Sequence, residues 1–236
     1  MSVSRMPMVS IFLPLAIILV SFLSLVVWSR HSDRFPLRTV EIRSSLHRVQ
    51  ETEIQASVLP FFDKGFFWLN VQAVQACLKR IPWVQTADIR RVWPDRLLVS
   101  VQEKTAQAKW GEKGVLSTEG VIFYPKVETI PEKLPQFDGP TSEALLMQQH
   151  YFALLEQLGA IGLTIESLNL SLNGALKIVL DNGISIILGK NAMNERMARF
   201  VLAYKASLKA QSQRIAYVDL RYTNGFAIGW KVAGVQ

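Results

Sequence analysis

Three histidines, one cysteine and nineteen carboxylates are the side chains from which this 236-residue sequence could build acid–base, nucleophilic or metal chemistry. His31, His47 and His150 stand far apart. None has a second His, Cys or carboxylate at a helical metal spacing such as H-E-x-x-H, so they read as solvated histidines. Cys77 stands alone, which excludes an intramolecular disulfide and any multi-cysteine metal site. It is expected as a small buried thiol on the inner face of a helix. Glu51 and Glu53 diverge on the first turn of a helix, where acids complement the dipole. Asp63 and Asp95 sit in turns, where Asp bonds its own backbone. Gly183 and Gly189-Lys190 differ from a phosphate loop by one extra residue and by Asn191 in place of Ser or Thr. There is no G-x-S-x-G elbow and no G-x-G-x-x-G. No pair of groups presents itself as acid and base. The sequence therefore points away from catalysis, and no cofactor, metal or small-molecule substrate is expected.

Charge narrows the classes further. The net charge is +7. From Ser29 to Glu103 there are 11 basic and 8 acidic residues, from Lys104 onward 14 and 11, and Arg5 supplies the remainder. A nucleic-acid footprint would be clustered on one face or arm, and this excess is spread evenly.

The elements that position these residues begin with the run from Met8 to Trp28, 21 residues without a charge. At about 1.5 Å rise per residue it suffices for a bilayer core of roughly 30 Å. It is longer than a signal-peptide core, ends in Val26, Val27 and Trp28, and lacks a small-residue cleavage site. The expectation is a retained transmembrane helix over residues 8–28 behind a short cytoplasmic tail, residues 1–7. Arg30, Arg34 and Arg38 follow it, against Arg5 before it. A literal positive-inside count would put the bulk in the cytoplasm, but long domains translocate largely regardless of flanking charge.

Residues 35–103 read as strand, helix, helix, strand, strand. Leu37 to Arg43 alternate, Thr52 to Leu59 precede Pro60, and Asn70 is placed to cap a helix from Val71 to Arg80. Val71, Val74, Cys77 and Leu78 form its apolar stripe. Trp83–Trp93 and Leu97–Glu103 form a hairpin about Pro94-Asp95-Arg96. This makes an α+β unit with two helices on one face of a three-stranded sheet.

Residues 104–236 read as a mostly antiparallel β domain with flanking helices. Short strands at 108–110, 114–117 and 121–124 lead to Pro125–Pro140, whose four prolines suggest an irregular connection. A helix follows from Ser142 to Leu158, with Leu145, Leu146, Phe152, Leu155 and Leu158 as its apolar face and Gly159 as its cap. Strands at 165–172, 175–180 and 185–189 turn at Asn173-Gly174 and Asn182-Gly183, and a second helix runs from Asn194 to Ala210. Tyr217–Tyr222 and Phe226–Trp230 then form a hairpin about a turn at Thr223-Asn224-Gly225, whose Asn-Gly pair is a strong hairpin signal. The last strand is expected at a sheet edge, where unpaired amides and carbonyls invite another strand. Tyr222, Phe226 and Trp230 are the aromatic anchors such a partner would meet.

The residues Ile81-Pro82-Trp83-Val84 and Ala87 to Leu97 resemble the POTRA domain of the FtsQ/DivIB family of bacterial cell division proteins. Tyr217 to Trp230, and Gly189-Lys190 with Arg196 to Phe200, are similar to that family's C-terminal region. The resemblance implies a POTRA-type β-α-α-β-β domain and a non-catalytic scaffold linking early and late division proteins. It implies a single-pass inner-membrane protein, N-terminus cytoplasmic and bulk periplasmic, concentrated at the septum. It also implies binding of an FtsB-like and FtsL-like subcomplex that regulates septal peptidoglycan synthesis, with FtsK, FtsW, FtsI and FtsN-like proteins as further partners. Carried over by position, the FtsB-like contact falls on Arg221, Tyr222, Asn224, Gly225, Phe226, Ala227 and Trp230. Recruitment through the POTRA strand falls on Thr86 and Ile89. Ala106 stands where the family often has a proline, and Phe226 is bulkier than the small residue common there. POTRA domains also serve polypeptide export and outer-membrane assembly, which is the alternative reading.

Overall fold

A computed structural model describes residues 9–29 and 37–231, with the side chains of 9–13, 25–29 and Lys64 left out of the description. Helix α1, Val9–Ser29, is 21 residues long, contains Pro14 and has no acid in its first turn or base in its last. The described side chains of α1 cover residues 14–24, and among the described residues no helix is long and apolar enough to cross a membrane. The chain divides into two compact units, Met1–Glu103 and Lys104–Gln236.

In the first unit, β1 (Thr39–Ile42) precedes α2 (Glu51–Val58), the single turn α3 (Gly65–Trp68), α4 (Val71–Leu78), β2 (Val84–Val92) and β3 (Arg96–Glu103). The sheet order is β1-β3-β2, with β1 parallel and β2 antiparallel to β3. The alternation seen in the sequence becomes one apolar face. Ala87 and Ile89 pair with Val101 and Val99, and all four are buried, as is Leu97. Helix α4 packs on β2, with Val74 and Leu78 inside. Asn70 caps it, its side chain accepting from the Ala73 amide at 3.0 Å. Cys77 is half-buried rather than buried, and its thiol reaches the Ser57 carbonyl at 3.6 Å. The inner positions of the stripe belong to Val74 and Leu78 on either side of it.

The second unit contains β4 (Ala106–Trp110), β5 (Gly114–Ser117), β6 (Ile122–Phe123), β7 (Gln136–Asp138), α5 (Ala144–Gly159), β8 (Ile165–Leu170), β9 (Leu176–Leu180), β10 (Ser185–Gly189), α6 (Met193–Ala203), β11 (Ile215–Asp219) and β12 (Ala227–Trp230). The strands form one sheet of nine in the order β12-β11-β10-β9-β8-β7-β4-β5-β6. It is mixed: β7 runs parallel to β4 and β8, and β10 runs parallel to β11, while the remaining pairs are antiparallel. Its core joins Phe137, Leu168 and Ile178 of the sheet with Met147, Leu154 and Leu158 of α5 and Met197, Phe200 and Val201 of α6.

Three expectations are corrected here. The proline-rich stretch 125–140 is not wholly irregular, because it holds β7, an interior strand of the sheet. Three residues are too few to show alternation, and the flanking prolines hide them. Helix α5 turns a different face inward: Ala144, Met147, Gln148, Leu154 and Leu158 are buried, while Leu145, Leu146 and Phe152 are exposed. Nine apolar side chains crowd this helix, so several stripes can be drawn and only packing selects one. Gly159 is the last helical residue rather than the cap, and the left-handed residue that ends the segment is Gly162, at φ 72°.

Candidate partner-binding edge

Among the described residues, strand β12 closes one end of the nine-stranded sheet and pairs within it only with β11. The ladder matches Asp219 with Ala227, Val218 with Ile228, Tyr217 with Gly229 and Ile215 with Trp230, with an irregularity between Ile215 and Tyr217. The ring of Tyr217 lies across Gly229, so close that a Cβ on residue 229 would fall 2.1 Å from its Cε1. The guanidinium of Arg214 stands 5.8 Å from the centre of the Trp230 ring, within the range of a cation–π contact.

The connection before β12 spans residues 220–226, longer than the turn over Thr223–Gly225 expected from the Asn224-Gly225 pair. Neither residue adopts the positive φ that such a turn requires. The reason lies in its ties to the rest of the unit. The Arg199 guanidinium donates to the carbonyls of Tyr222 (3.0 Å) and Gly225 (2.9 Å). Arg196 donates to the carbonyls of Arg221, at 3.2 Å, and Leu188. Asp219, itself buried, accepts from the Arg221 amide at 3.0 Å and from its guanidinium at 2.6 to 3.1 Å. Hydrogen bonding from Arg221, against the opposing effect of burial, holds the Asp219 carboxyl below the usual carboxylate range. Gly189, at φ 74°, leaves room for the arginines: a Cβ there would lie 3.0 Å from Arg196 Nη1 and 3.1 Å from Arg221 Cγ.

This arrangement holds Arg221, Tyr222, Asn224 and Trp230 exposed, and Gly225, Phe226 and Ala227 half-buried beside them. Phe226 packs partly on the core. The seven positions drawn from the sequence thus form one continuous rim on the loop and the edge strand. Tyr217, Arg196, Arg199 and Gly189 complete it and were not assigned to it from sequence. The available signal was the three-residue spacing of Arg196 and Arg199, which puts both on one side of α6.

Thr86 and Ile89 lie on β2, itself an edge of the three-stranded sheet. Thr86 is exposed and donates to Gln102 Oε1 at 3.2 Å. Ile89 is 7% exposed and faces the core, so a partner at this edge would meet its backbone rather than its side chain. Among the described residues, no group of three or more His, Cys, Asp or Glu is placed to hold a metal ion. Gly183 and Gly189 stand at opposite ends of β10, which rules out a shared phosphate-binding turn. A groove of about 600 Å³ brings Glu143, His150 and Lys190 together with Leu146 and Leu172, and burial lowers the His150 pKa from its ordinary value.

Comparison with known proteins adds identity to this geometry. Residues 35–104 match the POTRA domain of FtsQ type, and residues 106–221 match the C-terminal region of cell division protein FtsQ/DivIB. A cell division protein FtsQ of Coxiella burnetii is 31% identical over 222 residues, covering 93% of this chain and 91% of the relative. The chain belongs to the FtsQ/DivIB family of cell division proteins. Another FtsQ, from Aliivibrio fischeri, is 31% identical over 96% of this chain and 90% of its own length. That of Xanthomonas campestris is 34% identical over 84% and 70%. The FtsQ/DivIB C-terminal match ends at Arg221, on the loop that leads into β12.

Proposed function

We propose that this protein is a non-catalytic scaffold of the division machinery, held in the bacterial inner membrane by α1 with its two units in the periplasm. In this reading β12 takes up an extended segment of an FtsB-like protein as an added strand and so holds the FtsB-like and FtsL-like subcomplex at the septum. The observation that carries it is the position of β12 at the end of the sheet, with Tyr222 and Trp230 exposed beside it. Main-chain bonds along an open edge supply affinity, and the aromatic side chains supply anchors. Family membership supports the setting in cell division. The 21-residue apolar run without acid or base supports the anchor. The β2 edge around Thr86 and Ile89 serves in this reading for recruitment by an upstream protein such as an FtsK-like one.

The test is capture of an FtsB-like coiled-coil protein from detergent-solubilised membranes, together with imaging of a fluorescent fusion. Tyr222→Ala and Trp230→Ala are expected to reduce capture at least tenfold while the fusion of the unaltered chain collects at midcell. A diffuse envelope signal, with capture unchanged by both substitutions, would overturn the proposal.

A further inference from the structure

One end of the first unit gathers features that the proposed scaffold role does not use. The turn between β2 and β3 carries Trp93, which is 71% exposed. Arg91, two residues earlier, donates from its guanidinium to the carbonyls of Phe67 (3.3 Å) and Leu69 (3.1 Å), which ties α3 to that end of β2. In α3 the Phe66 side chain goes into the core, while Phe67 and Trp68 each remain 46% exposed. Two tryptophans and a phenylalanine thus lie at the same end of the unit. Aromatic area gathered in this way at one end of a unit marks an interaction surface.

The chain enters the unit at that same end. The amides of Arg38 and Thr39 donate to the carbonyl of Asp95, in the Trp93 turn, at 3.0 and 3.5 Å. Thr39 pairs with Arg96 at the start of β3. Residues 30–36 separate α1 from the described start of the unit, so the Trp93 turn stands within about 30 Å of chain from the end of α1, at about 3.5 Å per residue. That connection carries Arg30 and Arg34 against Asp33, and Arg38 follows it. Tryptophan is the residue most at home in the headgroup layer of a bilayer, and arginine is drawn to anionic headgroups there.

We infer that Trp93, Trp68 and Phe67 form a membrane-docking face, which rests the first unit on the headgroup layer of an anionic bilayer beside the point where α1 emerges. The inference depends on the anchoring role of α1 proposed above. Its consequence is orientation. A docked first unit has a fixed tilt, so its β2 edge is presented at one height above the bilayer.

The test uses the full chain in nanodiscs of phosphatidylethanolamine and phosphatidylglycerol at about 3:1. On a Cys77→Ser background, bimane is attached at Trp93→Cys, at Trp68→Cys, or, for comparison, at the exposed Tyr124→Cys in the second unit. Quenching by lipid carrying a nitroxide near the headgroup is expected to be at least threefold greater at positions 93 and 68 than at 124. Replacing phosphatidylglycerol with phosphatidylcholine is expected to halve it. Quenching equal to that at 124, in chains that stay in the membrane through a carbonate wash, overturns docking and leaves the anchor standing. Release of the chain by carbonate overturns both. Protection at 93 from both the lipid quencher and aqueous iodide would mean that a protein or a second copy covers the face, and also overturns the inference.

Discussion

Tyr217 and Gly229 are directly paired across β11 and β12, and the phenol ring occupies the space where any larger residue at 229 would put its Cβ. Tyr217 is 45% exposed, so its ring has open solvent to swing into. Gly229→Ala is therefore expected to preserve the fold, at a cost of about 1–2 kcal/mol, while displacing the ring from the edge. Tyr217→Ala should remove that penalty. A double-mutant cycle by chemical denaturation is expected to give a coupling of about 1 kcal/mol or more. Strictly additive effects would show that the ring does not press on residue 229.

Asp219 and Arg221 make the loop's stability depend on pH. The carboxyl is held below its ordinary pKa by hydrogen bonding from Arg221. Its contribution is thus fully present above the unfolded value, about 3.9, and is lost as pH falls through the folded one. The Arg221 side chain is largely solvated, so the contribution of the pair is small. Asp219→Asn should cost less at pH 2 than at pH 7, measured by urea titration at both. An equal cost at both pH values would assign the effect to packing instead.

Phe137 is the residue on which the middle of the large sheet turns. It is fully buried on β7, paired with Trp110 on one side and Leu168 on the other. Its ring also meets Tyr151 of α5, with centroids 5.2 Å apart. Phe137→Ala is expected to destabilise the second unit by about 3–5 kcal/mol, and Phe137→Leu by much less. Thermal unfolding of the isolated substitutions should separate the two clearly, and a loss below 1 kcal/mol for the alanine would contradict the interior position of β7.

What the sequence made legible depended on whether a local rule had one reading. Asn70 before an apolar stripe, and two alternating runs about Pro94-Asp95, have one physical reading each, and α4 and the β2–β3 pair formed accordingly. Strand β7 was not legible because three residues carry no period and their pairing comes from segments 27 and 31 residues away. The inward face of α5 was ambiguous because apolar residues surround it. At Asn224-Gly225 a strong turn signal lost to tertiary bonds: Arg199 holds two carbonyls of the loop and favours the longer connection. Tyr222, Phe226 and Trp230 followed from the edge argument and the other rim positions from the family resemblance, whereas the arginines and the glycine that support them come together only in the folded chain.

Glu103 ties the segment before α2 to the sheet. Its Oε1 accepts from the backbone amides of His47 (3.1 Å), Arg48 (3.0 Å) and Val49 (2.8 Å), more than fifty residues earlier in the chain. Three amides converging on one carboxylate fix the approach to α2, and Val49 beside them is buried. Removing the acceptor leaves the part-buried amides of Arg48 and Val49 unsatisfied, so Glu103→Ala is expected to cost about 2–3 kcal/mol. Glu103→Gln retains one carbonyl oxygen but no charge, and should cost roughly half as much. Hydrogen exchange is the discriminating measurement, because it reads residues 47–49 directly. In Glu103→Ala their amides should exchange at least tenfold faster, while those of β8 to β10, in the other unit, keep their rates. Unchanged exchange at 47–49 would show that the turn is held by its own chain, and that the carboxylate is incidental to it.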